Sequence, residues 1–167
     1  PGVRLEDPFS SIVKSFGEDR GVEMEVSELR DAIPYKLEFL IFDCCFMGGI
    51  EVAYELRKKG DYIMASPTEI LATGFPYEKV MLPLFEYRAD LEEVANIFYN
   101  YYVQKGDSPH TLYNSATIAL YDTDEIEDIA VVCEEIFTQN REKMASVSRN
   151  SVQPYFRLGQ DYFFDLE

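Results

Sequence analysis

The sequence predicts an α/β fold built on a parallel strand–helix–strand unit, and three consecutive segments carry that prediction. The run Leu37-Glu38-Phe39-Leu40-Ile41-Phe42 is short, rich in strand-forming residues and nearly apolar on both faces, as a central parallel strand requires. The next segment, IEVAYELRKKG, sets Ile50, Ala53 and Tyr54 on one side, pairs Glu55 with Lys59 at i,i+4, and stops at Gly60 behind basic residues that suit a helix C-terminus. Tyr62-Ile63-Met64-Ala65-Ser66 then resumes as a second apolar strand, and a right-handed crossover joins such a pair.

Size and composition bound the rest. A chain of 167 residues, 47% of them apolar and with 12 Tyr and 12 Phe, has core material for one folded domain. Its net charge of -16 excludes a protein that holds nucleic acid through clustered Lys and Arg, and cationic partners fit better. No stretch approaches the roughly 18 to 20 apolar residues that cross a bilayer. Three cysteines, two of them adjacent at 44 and 45 and one at 133, match neither a disulfide framework nor a Cys-x-x-Cys metal spacing. A single histidine, His110, further limits metal chemistry.

The remaining elements follow in order. Residues 1–22 mix Pro, Gly, Ser and charge without a sustained period and read as a surface arm. VSELRDAIP predicts a short helix with Ser27 as cap and Leu29, Ala32 and Ile33 on one face, ended by Pro34. PTEILATGFPYEK, with two prolines and a glycine, predicts a loop at the carboxyl end of the second strand, the edge where open parallel sheets bind ligands. A short helix around Val80 to Phe85 and a long amphipathic one carrying Leu91, Val94, Ala95, Phe98 and Tyr102 come next. Thr111 to Tyr121 suits another strand. Asp122-Thr123-Asp124 then caps a helix with Ile126, Ile129, Ala130, Cys133, Ile136 and Phe137 on one face. Both long helices are expected to cover the sheet. The closing aromatic and acidic stretch reads as part of a larger domain.

The informative site is Phe42-Asp43-Cys44-Cys45-Phe46-Met47-Gly48-Gly49, where a strand end is expected to turn directly into a helix. Amides at a helix start carry partial positive charge and stabilise a thiolate, which makes Cys45 a candidate nucleophile. Those amides, with Gly48 and Gly49 leaving room for a substrate backbone, suit an oxyanion region formed by Cys45 and Gly48. The competing reading is a buried, inert thiol. Asp43 either caps the helix or holds the turn by bonding to backbone amides, or else it lines a pocket for a cationic side chain. His110, the one candidate base in the chain, precedes a strand and so faces the opposite sheet edge, where it reads as an ordinary loop residue.

At these residues the chain resembles the clostripain family of cysteine peptidases. FDCCFMGGIEVAYELR, followed by DYIMASPTEILATGFPY, is similar to the family pattern Asp-x-Cys-x-Met-Gly and then Glu-Val-Ala-Tyr-Glu-Leu, and GEDRGVEMEVSELRDAI resembles the segment leading into that strand. The resemblance implies a caspase-like three-layer α/β sandwich with a mostly parallel central sheet, present here as a partial chain. It implies cleavage after Arg or Lys, with the nucleophile at Cys45, the pocket acid at Asp43 and the Met-Gly pair at Met47 and Gly48. Cys44 falls on the variable position between them.

The family's histidine precedes the cysteine, and this chain has none before Cys45. Relatives are often cleaved between the two, so the resemblance implies that residues 1–22 are a processed linker or arm and residues 23–167 the cysteine-bearing part of the peptidase. The implied partners are a histidine-bearing N-terminal chain of the same precursor and a polypeptide substrate with Arg or Lys. ILATGFPY lacks the second pocket acid that family members use, which leaves Glu69 as an assistant to Asp43 or as a solvated loop carboxylate. Ser66 is expected to lend its backbone to an extended substrate. No cofactor is expected: calcium dependence occurs in the family, but the chain has no D-x-D-x-D-G loop. The implied setting is extracellular or the bacterial cell envelope. The alternative from another class is a non-catalytic peptide-binding module on the same scaffold.

Overall fold

A computed structural model describes residues 3–4, 13–19, 22–71, 73–105 and 116–153 of the chain. Its centre is a sheet of three strands, β4 (Leu37–Ile41), β5 (Gly60–Ala65) and β6 (Ala119–Asp122), in the order β4-β5-β6. Strands β4 and β5 are parallel, with Leu37 opposite Gly60 and Ile41 opposite Met64. Helix α2 (Ile50–Leu56) makes the crossover between them, as the apolar–amphipathic–apolar order of the segments requires. β6 runs antiparallel to β5, with Ala65 opposite Ala119, so one edge departs from the parallel pattern.

Strand β5 explains the layering. Ile63, Met64 and Ala65 are all fully buried, which needs cover on both faces. Ile63 and Ala65 pack with Val26, Phe42, Met47, Val52, Ala53, Leu56 and Ile126. Those side chains come from the β4–β5 region and from α1 (Val26–Ala32), α2 and α5 (Ile126–Gln139). Met64 packs on the other face with Phe75, Val80, Leu91, Val94, Phe98 and Tyr102. Most of these lie on α3 (Tyr77–Leu84) and α4 (Leu91–Lys105). The result is a three-layer α/β sandwich.

Four expectations are corrected. The 1–22 stretch is not without regular structure: β1 (Val3–Arg4), β2 (Val13–Asp19) and β3 (Val22–Glu25) form an antiparallel sheet in that order, and β2 pairs across residue 22 with β3. Such a hairpin is held by backbone pairing, which needs no hydrophobic period. Helix α1 is capped by Glu25, not Ser27: the Glu25 side chain accepts from the helix backbone, and the Glu25 N–H donates to Glu28 Oε2 at 2.8 Å. The third sheet strand begins at Ala119, and Thr111 to Ser115 lie outside the described residues. Helix α5 is present, but only Ile126 of its apolar face is buried, while Ile136 and Phe137 are 49% and 45% exposed. A short helix, α6 (Arg141–Met144), follows it. Among the described residues no helix is long and apolar enough to cross a membrane.

Candidate active site

The carboxyl edge of the sheet is formed by two loops, one after β4 and one after β5. The first begins at Phe42, whose N–H still donates to Met64 O at 2.9 Å, and then leaves the sheet. Phe46 adopts φ 61, a left-handed conformation that non-glycine residues take rarely. This bend turns the Phe46 N–H onto Thr68 O at 3.0 Å and the Gly48 N–H onto Ser66 O at 2.8 Å. Gly48 is required there: a Cβ would lie 2.6 Å from both Pro67 N and Ser66 C, which are backbone atoms that cannot swing away. The Tyr121 hydroxyl donates to Gly48 O at 2.6 Å and ties the turn to β6. The α2 cap is Gly49, so Cys45 sits on a separate turn before the helix and not at its first residue. The expected direct passage from strand to helix is corrected accordingly.

The two adjacent cysteines meet different surroundings. Cys44 packs against the core shared by α1 and α2, and burial pushes its thiol up to about 11. Cys45 points the other way, toward the loop after β5. Its Sγ accepts from the Ile70 N–H at 3.2 Å and lies 3.4 Å from Ile70 O, which it reaches as a donor. The sulfur is thus positioned by both the amide and the carbonyl of Ile70.

Asp43 holds the second loop through a backbone amide and a phenol. It does not cap α2, whose N-cap is Gly49. Its Oδ2 accepts from the Phe75 N–H at 3.3 Å and from the Tyr77 hydroxyl at 2.5 Å. The carboxylate lies against Gly74, which has φ +57 and no room for a Cβ, since one would meet Asp43 Oδ2 at 2.4 Å. The hydrogen bond to Asp43 pushes the Tyr77 phenol up to about 12, because ionisation would set two negative charges against each other. Beneath the loop, Tyr102 donates to Gly74 O at 2.7 Å and pairs with Thr73 Oγ1 at 3.0 Å, and Phe75 packs on Phe98 with ring centres 4.5 Å apart.

Ser66 is fully buried, its carbonyl accepts from Gly48, and its Oγ lies 3.0 Å from Thr117 Oγ1 and accepts from the Thr68 N–H at 3.1 Å. That carbonyl already takes one hydrogen bond from the nucleophile turn. Gly48 as an oxyanion donor is corrected, because its N–H is spent on Ser66 O. The Cys45 N–H, by contrast, has no partner among the described residues. Glu69 stands between Thr68 and Ile70, and its Oε1 is buried without a hydrogen-bond partner among the described residues. His110 lies outside the described residues. Cys45, Asp43 and Glu69 therefore share the sheet edge with Gly48 and Ser66 packed beneath as supports. Sequence reading missed Tyr77, Ile70, Thr117 and Tyr121. The Phe-Pro-Tyr that closes the second loop was a signal for Tyr77, whereas Tyr121 gave none, lying 73 residues from its partner.

Solved structures similar to this chain include several proteases. A Bacteroides fragilis cysteine protease matches with a TM-score of 0.77 and 30% identity over 90% of this chain and 65% of its own. An inactive zymogen protease from Parabacteroides distasonis matches at 0.74 and 34% identity, over 86% of this chain and 40% of its own. A clostripain from Bacteroides thetaiotaomicron, solved in complex with the peptide inhibitor BTN-VLTK-AOMK, matches at 0.74 and 26% identity, over 90% of this chain and 65% of its own. The chain thus spans less than two thirds of the length of these relatives. No curated protein matches. These likenesses fix the caspase-like α/β fold, and the sequence profile of the Clostripain family matches residues 8–165, almost the whole chain, so the chain belongs to the clostripain family.

Proposed function

We propose that this chain is the nucleophile-bearing part of a cysteine endopeptidase that cleaves after Arg or Lys. The observation that carries the reading is Cys45, beyond the carboxyl end of β4, with its sulfur against the Ile70 amide of the loop that carries Glu69. Asp43 is the acceptor for the basic side chain, with Oδ2 held by the loop and Oδ1 left for the ligand. The lysine that closes the peptide of the Bacteroides thetaiotaomicron inhibitor supports a basic preference. Glu69, with an unpartnered buried oxygen at the same edge, assists in receiving the cation.

The general base is a histidine supplied by an N-terminal portion of the same precursor. Support comes from β4, which pairs on one side only among the described residues and so offers its other edge to a further strand. The imidazole takes the Cys45 proton, and sulfur adds to the carbonyl carbon after the basic residue. The oxyanion is met by the Cys45 N–H and by an amide from the histidine side. The C–N bond then breaks, the amine leaves with the proton from imidazolium, and water releases the acid from the thioester. Residues 1–22 follow the processing point, a reading supported by the zymogen relative. An extracellular or envelope setting is supported by a secreted relative.

By itself the 167-residue chain is expected to show little hydrolysis. Addition of the histidine-bearing portion should raise cleavage of Arg- and Lys-containing peptides at least a hundredfold, in line with the contribution of a general base. Equal rates for this assembly and its Cys45→Ala counterpart would reject the reading.

A further inference from the structure

The loop after β5 treats the two oxygens of Asp43 unequally. A carboxylate offers about four lone-pair positions, two on each oxygen. Oδ2 already has two donors, the Phe75 N–H and the Tyr77 hydroxyl, the latter at only 2.5 Å. Gly74 sits beside the group, where a Cβ would come 2.4 Å from Oδ2 and 2.8 Å from Oδ1, so only glycine leaves the carboxylate its place. Among the described residues Oδ1 accepts nothing.

The two basic side chains make different demands on such a group. A guanidinium gains most when its planar fork meets both oxygens at once, whereas an ammonium is a point charge satisfied by one. We propose that Tyr77 is a specificity-setting residue: by holding Asp43 Oδ2 together with the Phe75 amide, it leaves one carboxylate oxygen for the substrate and favours lysine over arginine. This rests on Asp43 being the acceptor of the basic side chain. Tyr77 acts through Asp43 and is a positioning residue. Tyr77 is 57% exposed and outside the buried core, so loss of its hydroxyl removes no core contact.

The test uses the full-length peptidase and two acyloxymethyl ketone peptides that differ only in a terminal Lys or Arg, with the rate of Cys45 labelling as readout. The native enzyme is expected to label faster with the Lys peptide. Tyr77→Phe frees a position on Oδ2 and should raise the Arg-to-Lys rate ratio about tenfold, the worth of one charge-assisted hydrogen bond. A merely structural role would slow both peptides alike and leave the ratio unchanged, which overturns the proposal. Asp43→Asn should slow both peptides. If it does so while Tyr77→Phe leaves the ratio fixed, the Tyr77 proposal fails and the pocket reading stands. If Asp43→Asn changes neither rate, the pocket reading fails and takes the proposal with it. Absence of labelling by either peptide overturns the peptidase reading beneath both.

Discussion

The two loops at the carboxyl edge of the sheet are built by different means. The loop after β4 is fastened by main chain: Phe46 and Gly48 donate to Thr68 and Ser66 carbonyls, and Phe46 bends through a left-handed conformation to allow it. The loop after β5 is fastened by side chains, with Asp43 above and Tyr102 below. A main-chain fastening uses groups that every residue carries, so the space it needs is critical, and the Tyr121 hydroxyl adds a side-chain tie to it. A side-chain fastening can be retuned residue by residue, which suits the loop that meets the variable part of a substrate.

Substitutions should separate the two. Gly48→Ala drives a Cβ into the backbone of Ser66 and Pro67 and is expected to cost about 3 kcal/mol or more, with loss of Cys45 labelling. Urea unfolding and alkylation of the purified chain measure both effects. Gly74→Ala meets a side chain instead and adds a left-handed residue, so about 2 kcal/mol is expected, with the thiol still reactive and peptide selectivity lost. Equal losses in the two glycine variants would erase the distinction between the loops. Tyr102→Phe leaves Gly74 O without its buried donor and should cost about 1 to 2 kcal/mol while sparing the nucleophile turn.

The smallest expected effect is a titration. Tyr77 has its pKa raised from 10.0 to about 12 in the fold, so its contribution to holding the second loop is complete below pH 10 and fades as pH rises through 12. Burial also raises Tyr102, so ultraviolet difference spectra should identify Tyr77 as the late-titrating tyrosine that shifts back toward 10 in Asp43→Asn. A normal titration in both proteins would remove the Asp43–Tyr77 fastening from the comparison. Cys44, held as a thiol by burial, should resist alkylation at pH 8 while Cys45 reacts.

The strand–helix–strand unit and the buried face of α4 were legible because both are local periodicities: Leu91, Val94, Phe98 and Tyr102 are the positions that the helical repeat selects, and all four are buried. Residue 45 was singled out for the same reason, by neighbours within a few positions. Direction and cover are not local. Nothing in Ala119–Asp122 states that the strand runs antiparallel, and the α5 stripe of Ile129, Ile136 and Phe137 demands cover without naming its source. The paired strands at 13–25 were missed because backbone pairing leaves little trace in side-chain pattern.

Strand β6 carries no chemistry of its own, yet its Tyr121 phenol reaches the carbonyl directly under the reactive turn. A sideways shift of that outer strand would therefore pull on Gly48 and tilt the sulfur three residues away. Reactivity at one margin of the sheet is thereby geared to the posture of the opposite margin.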